Sequence, residues 1–164
     1  LIVVQKITKQ HKQRNLFSGY LYIAGIVGLL LNWAACTKEA PEQSAIPVIV
    51  YDSISPLELT QFEEKVHIYI NYQDGDGDLG TQNPDSVSII VKDSRLQIAD
   101  GYHLKPLSPP GTNLFIAGQL DIVLKNLFVL GNAPYEDVFF EVYITDRKGH
   151  KSNMLKTQTV RVKR

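Results

Sequence analysis

Apolar and polar side chains alternate along much of the chain after residue 46, with a period of two residues. In the segment 65–73, for example, Val66, Ile68 and Ile70 alternate with His67 and Tyr69. This period is typical of a β-strand that buries one face. The same alternation recurs in other segments, with apolar positions at Val87, Ile89 and Val91, at Phe140, Val142 and Ile144, and at Val160 and Val162.

The segments with this pattern predict six strands, at 47–52, 65–73, 86–92, 114–125, 137–145 and 155–163, whereas 96–105 shows no clear period. Turns rich in Gly, Pro, Asp and Asn join them, and no helical stripe or repeat competes. We therefore predict that 46–164 is an all-β domain, an immunoglobulin-like or fibronectin-like antiparallel β-sandwich of about seven strands. In that topology the segments 74–80 and 146–153 are loops at the same end of the domain.

A basic and apolar leader precedes this domain. Residues 1–35 hold four basic residues and no acidic one, and residues 16–36 form an uncharged run that ends at Cys36. This is the layout of a secretory signal. The small residues Ala34 and Ala35 before the only cysteine resemble the lipobox of bacterial lipoproteins, although Trp33 stands where leucine is usual. The resemblance implies cleavage before Cys36 and lipidation of its sulfur. The short, polar and proline-bearing segment that follows predicts a tether at 36–45.

An uncleaved signal anchor is the alternative for the same leader. The uncharged segment 16–35 has about 20 residues, which is long enough to cross a bilayer. The basic flank favours a cytoplasmic N-terminus in either case.

The charge of the chain changes once the leader is set aside. The full chain has 17 basic and 17 acidic residues. Because residues 1–35 contain four of the basic residues and none of the acidic ones, the rest carries 13 basic and 17 acidic residues, a net charge of −4. No basic patch indicates nucleic-acid binding. With one cysteine there is also no disulfide framework.

The stretch from Tyr72 to Gln82 places Asp74, Asp76 and Asp78 at alternate positions, with glycines between and after them. Three carboxylates so close together repel one another. Calcium takes six to eight oxygen ligands, mostly from carboxylates, carbonyls and water, and would remove this repulsion. The predicted metal ligands are Asp74, Asp76, Asp78, Asp85 and Asp146.

This spacing is similar to that of an EF-hand loop, with Asp85 at its twelfth position, but Leu79 stands where that loop requires glycine. The flanking segments are also predicted strands and not helices. We therefore expect a calcium loop on a β scaffold. Magnesium fits a dense protein cage less well, and the histidines lack zinc-ligand spacing.

Two alternatives need no ion at all. Asp-Gly sequences favour tight turns, so the stretch could be a solvated turn. Alternatively, Arg147 could neutralise the carboxylates from the neighbouring loop.

Taken together, Cys36, the strand that runs into "DGDGDLG" and the late "FEVYITDRKGHKSN" resemble a group of uncharacterised Bacteroidota lipoproteins with an Ig-like domain. The resemblance covers most of residues 36–164. It implies placement in the bacterial cell envelope, anchored to the outer membrane on its periplasmic or surface face. It implies no activity.

No catalytic motif is present, which predicts a protein that is not an enzyme. We expect a lipid-anchored binding or adhesion module with a protein or glycan ligand, and Phe139 and Tyr143 are predicted to face outward. A structural accessory subunit of an envelope complex is the alternative.

Overall fold

The computed structural model describes residues 44–164, and in this part of the chain all regular secondary structure is β. The predicted leader, Cys36 and most of the predicted tether lie outside the described residues. The described residues contain no helix of the length and apolarity that a membrane crossing requires. The ten strands are β1 (Val48–Ser55), β2 (Glu58–Thr60), β3 (Val66–Asp74), β4 (Ile89–Asp93), β5 (Asp100–Tyr102), β6 (Ile116–Leu124), β7 (Tyr135–Val138), β8 (Phe140–Ile144), β9 (Leu155–Lys156) and β10 (Val160–Lys163).

One sheet has the order β1-β3-β6, and both of its strand pairs are antiparallel. The central strand β3 buries Val66, Ile68 and Ile70 on one face and leaves the intervening side chains partly exposed. Its full length pairs with β6, from Val66 opposite Leu124 to Asp74 opposite Ile116. This long, regular pairing fixes the position of Asp74 at the end of the strand.

The described residues also form two further sheets. The order β5-β4-β8-β9 is antiparallel throughout. In the order β2-β10-β7, β10 runs antiparallel to β7 and parallel to β2. All three sheets contribute to one hydrophobic core. Its largest fully buried apolar side chains include Phe140, Ile49, Ile68, Ile70, Leu79 and Ile144.

For the described residues, the prediction of an all-β fold with antiparallel strand pairs is confirmed, except that β2 and β10 pair in parallel, and each of the six predicted segments overlaps at least one strand. The predicted strand 137–145 is divided, because the chain changes sheets at Phe139: β7 pairs with β10, whereas β8 pairs with β4. The prediction that Val87 is a core position is wrong. Its surface is 53% exposed because β4 begins only at Ile89.

Candidate metal centre

The acidic loop, which we define as residues 74–80, begins at the last residue of β3. Asp74 still pairs with Ile116 of β6, so its backbone is held by the sheet. The following residue is anchored as well, since Gly75 N donates a hydrogen bond to Ser44 O at 3.1 Å. The loop therefore starts from a rigid position.

Two glycines allow the acidic loop to turn tightly against the chain beside it. Gly77 and Gly80 have φ angles of +69° and +77°, in the left-handed region that favours glycine. A Cβ atom on Gly77 would lie 2.3 Å from Leu114 O, and one on Gly80 would lie 2.2 Å from Lys105 O. Only glycine satisfies both the backbone angle and the close approach at these positions.

The three carboxylates of the acidic loop are buried and close together. The exposed surface is 1% for Asp74, 7% for Asp76 and 8% for Asp78. One carboxylate oxygen from each residue lies within 4.8 Å of the other two. Among the described residues, both oxygens of Asp74 and Oδ1 of both Asp76 and Asp78 have no hydrogen-bond partner. Buried polar atoms without a partner are rare and costly, and a coordinated cation would satisfy these four oxygens.

Burial and mutual repulsion oppose the ionisation of this group. Burial first, and then the charges of Asp76 and Asp78, raise the pKa of Asp74 from 3.8 to about 6. Burial and the charges of Asp146 and Asp76 also raise the pKa of Asp78. The pKa of Asp76 is lowered, chiefly because Lys148 donates a hydrogen bond to its carboxylate. The electrostatic potential at this site is thus negative.

The loop of residues 145–151, between β8 and β9, packs directly on the acidic loop. Leu79 and Asp146 form an isolated antiparallel bridge. Arg147 donates to Asp78 O through its backbone N, at 3.2 Å, and through Nε, at 2.9 Å. Its Nη2 donates to Gly77 O at 3.2 Å. The prediction that the two segments approach each other is confirmed, and Arg147 binds the carbonyl groups of the acidic loop.

Asp146 is buried beside the three carboxylates, but its own oxygens already accept bonds. Its Oδ1 accepts from Lys148 N at 2.9 Å and from His150 N at 2.8 Å. Its Oδ2 lies 2.7 Å from His150 Nδ1. Asp146 therefore shapes the 145–151 loop and adds to the negative field, and it is outside the group whose ligand atoms converge.

Asp85, the last of the predicted ligands, is exposed and is also outside that group. Its amide donates to Asn83 Oδ1 at 3.1 Å, within a local turn. The structure thus brings Asp74, Asp76 and Asp78 together and leaves Asp85 apart.

Among residues 44–164, Lys148 contacts these carboxylates directly, and sequence reasoning missed this contact. Its Nζ donates to Asp76 Oδ2 and lies 3.8 Å from Asp78 Oδ2. The only signal in the sequence was the opposite charge of the two loops. That signal could not distinguish Lys148 from Arg147 or Lys151, because side-chain directions in a loop follow no regular period.

A second pair of acidic residues, Asp93 and Glu136, lies outside the acidic loop and shares Arg95 as a hydrogen-bonded partner. Arg95 Nη2 lies 2.7 Å from Asp93 Oδ2, and Arg95 Nη1 lies 2.8 Å from Glu136 Oε2. Glu136 also accepts bonds from the amides of Leu130 and Gly131. In contrast, the acidic loop has four buried carboxylate oxygens without a hydrogen-bond partner among the described residues.

A comparison with protein-family models finds no match to this chain, and a comparison with curated proteins finds none either.

Proposed function

We propose that this chain is a non-enzymatic, lipid-anchored protein of the bacterial cell envelope, and that its β domain binds calcium in the acidic loop and acts as a binding or adhesion module. The observation that carries the proposal is the set of four buried carboxylate oxygens without a partner, contributed by Asp74, Asp76 and Asp78. A divalent ion would both satisfy these atoms and offset their charge.

The ligand chemistry favours calcium over other ions. All atoms that converge at the site are carboxylate oxygens, which suit hard cations. Neither sulfur nor imidazole belongs to the converging group, although zinc usually requires them. Calcium accepts irregular oxygen cages and a variable number of ligands, whereas magnesium demands near-ideal octahedral geometry and retains several waters. A short loop with carboxylates at alternate positions suits calcium better than magnesium.

The strand order supports an immunoglobulin-like arrangement for the domain. The order β1-β3-β6 is compatible with one sheet of such a sandwich, and the order β5-β4-β8-β9 with the other. The acidic loop and the 145–151 loop would then share one end of the domain, where related architectures present their ligand-binding loops. An ion at this end would hold two loops in a fixed shape for a protein or glycan partner.

The face of β8 is a weaker candidate for partner binding. Phe139 and Tyr143 are half-buried and alternate with the core residues of the strand. Lys156 Nζ lies 3.6 Å from the centre of the Phe139 ring, and Lys151 Nζ lies 3.6 Å from that of Tyr143. Because lysines cover both rings, we assign partner binding to the end of the domain that carries the acidic loop and the 145–151 loop.

Calcium binding is tested by thermal melts of the full chain in a non-ionic detergent, first in excess chelator and then across a calcium titration. At 100 times the Kd, calcium should add about 2.7 kcal/mol to the free energy of unfolding and raise Tm by several degrees. Asp76→Asn should abolish the rise. The matched control is Asp85→Asn, which removes an equal charge from an exposed residue outside the group. An unchanged Tm for the parent chain would contradict the proposal.

The anchor requires a separate experiment, because it depends on the sequence of the leader. Bacteria that express the chain should incorporate an alkyne-labelled fatty acid into it, and Cys36→Ser should abolish the labelling. Incorporation that persists in the Cys36→Ser variant would contradict lipidation at this residue.

A further inference from the structure

We infer that Lys148 is a built-in competitor of the metal ion: its ammonium group holds Asp76 and Asp78, and calcium binds by displacing it into solvent. This inference rests on the proposed calcium site and deepens it, because it identifies the residue that sets the affinity of that site.

The ammonium and the ion require two of the same carboxylate groups, those of Asp76 and Asp78. Lys148 Nζ donates to Asp76 Oδ2 and lies 3.8 Å from Asp78 Oδ2. Both residues belong to the group whose ligand atoms converge within 4.8 Å. A calcium ion would lie about 2.3 to 2.6 Å from its oxygen ligands. Two cations cannot share so small a volume, because their repulsion is strong at a few ångströms.

Lys148 leaves part of the group unsatisfied. Neither oxygen of Asp74 has a hydrogen-bond partner among the described residues, although Asp74 is the most deeply buried of the three. A lysine ammonium is a single point charge with three donors. A divalent ion supplies twice that charge and can be coordinated by all three carboxylates, which gives it an advantage over the lysine.

The lysine side chain can leave without disrupting the loop that carries it. It is 58% exposed, and its flexible stem reaches solvent directly. The backbone of the loop is held by other bonds, from Lys148 N and His150 N to Asp146 Oδ1 and from Arg147 to Asp78 O. Displacement therefore breaks the contacts of Lys148 with Asp76 and Asp78 and requires no refolding of the 145–151 loop.

A competitor of this kind weakens the apparent affinity for the ion. The weaker range, with Kd values of about 10⁻⁴ to 10⁻³ M, is typical of extracellular calcium modules. By this competition Lys148 would shift the affinity of the site towards that range.

The test is isothermal titration calorimetry of calcium chloride into the full chain in non-ionic detergent, at pH 7.5. Lys148→Met should bind calcium about tenfold more tightly than the parent chain, because the variant has no ammonium to displace. Lys151→Met is the matched control, since it removes the same charge from the same loop, and Lys151 Nζ lies over the Tyr143 ring. Its Kd should stay within about twofold of the parent value. Lys148→Gln is a second neutral variant, should Lys148→Met fail to fold.

The outcomes separate the two proposals. Equal calcium affinity in the parent chain, the folded Lys148 variants and Lys151→Met would overturn the inference and leave the proposed function standing. Equal tightening in the Lys148 and Lys151 variants would also overturn it, since it would indicate a general effect of net charge. Binding by a Lys148 variant but not by the parent chain would contradict the proposed function and would also overturn the inference, since calcium would then fail to displace the ammonium. The absence of binding in all folded variants would overturn both.

Discussion

Leu79 and Asp146 form the backbone bridge that joins the acidic loop to the loop between β8 and β9. Leu79 is fully buried in the hydrophobic core, so this contact is anchored from one side by apolar packing. From the other side, Asp146 sets the shape of the loop that carries Arg147 and Lys148. The pairing therefore determines which cationic groups reach the carboxylates.

The elevated pKa of Asp74 predicts how stability without calcium depends on pH. Burial and the neighbouring Asp76 and Asp78 raise this pKa to about 6 in the folded chain, from an ordinary value of 3.8. The folded state therefore holds this proton more tightly than the unfolded state. As pH rises from about 4 to about 6, Asp74 should lower the free energy of unfolding by about 3 kcal/mol, and this loss should persist at neutral pH.

The measurement is urea unfolding in excess chelator at several pH values between 4 and 7, for the parent chain and for Asp74→Asn. Other carboxyl groups titrate in this range, and the pKa of Asp76 is shifted in the opposite direction. The informative quantity is thus the difference between the two chains. At pH 7 the variant should be the more stable chain in chelator, and it should lose its response to calcium. A difference that does not vary with pH would contradict this account.

Gly77 and Gly80, the glycines of the acidic loop with positive φ, predict a second set of results. Gly77→Ala and Gly80→Ala should each destabilise the chain by at least about 2 kcal/mol, because the new Cβ atom meets a backbone oxygen in addition to an unfavourable φ. Gly111→Ala is the control, since its φ is +78° and nothing lies within 4 Å of the added atom. It should cost only about 1 kcal/mol. Equal losses of stability in all three variants, measured by urea unfolding, would show that the close approaches contribute nothing.

The sequence was sufficient to predict the strands where the core enforces a regular period. Val66, Ile68 and Ile70 in β3 are examples, since each is fully buried on the same face. The three-residue strands β2 and β5 are too short to show a period. The sheet change at Phe139 could not be predicted either, because it depends on which strands lie beside the segment.

The site was predictable only as far as local spacing determines it. Asp74, Asp76 and Asp78 converge because one strand end and one tight loop carry all three. Asp85 lies apart because Thr81 N bonds Leu104 O, which fixes the path of the chain after the acidic loop. This bond joins residues far apart in sequence, so no spacing rule could reveal it.

Asp146 predicts a third result, since its buried carboxylate bonds two amides of its own loop. Asp146→Ala should destabilise the chain by about 2 kcal/mol, because Lys148 N and His150 N would lose their acceptor. Asp146→Asn retains an acceptor oxygen and should cost less. Asp85→Ala, at an exposed carboxylate, should change stability little. Thermal melts in chelator at pH 7 give the comparison. Equal stability of Asp146→Ala and Asp85→Ala would contradict a structural role for Asp146.

Arg95 predicts the fourth result, because it links two acidic residues at a largely buried position. Its guanidinium bonds Asp93 and Glu136 and also donates to Phe128 O at 2.9 Å. Arg95→Met should cost about 3 kcal/mol, since it leaves the buried carboxylate of Asp93 without its charged partner.

The control for Arg95 is Arg161→Met, which breaks an ion pair of similar geometry on the surface. Arg161 Nε lies 2.8 Å from Asp137 Oδ1, but both side chains are more than two-fifths exposed. Exposed pairs of this kind stabilise proteins little, because water solvates and screens both charges. Urea unfolding at pH 7 should therefore show a large loss for Arg95→Met and almost none for Arg161→Met. Losses of the same size would mean that burial does not govern the strength of these pairs.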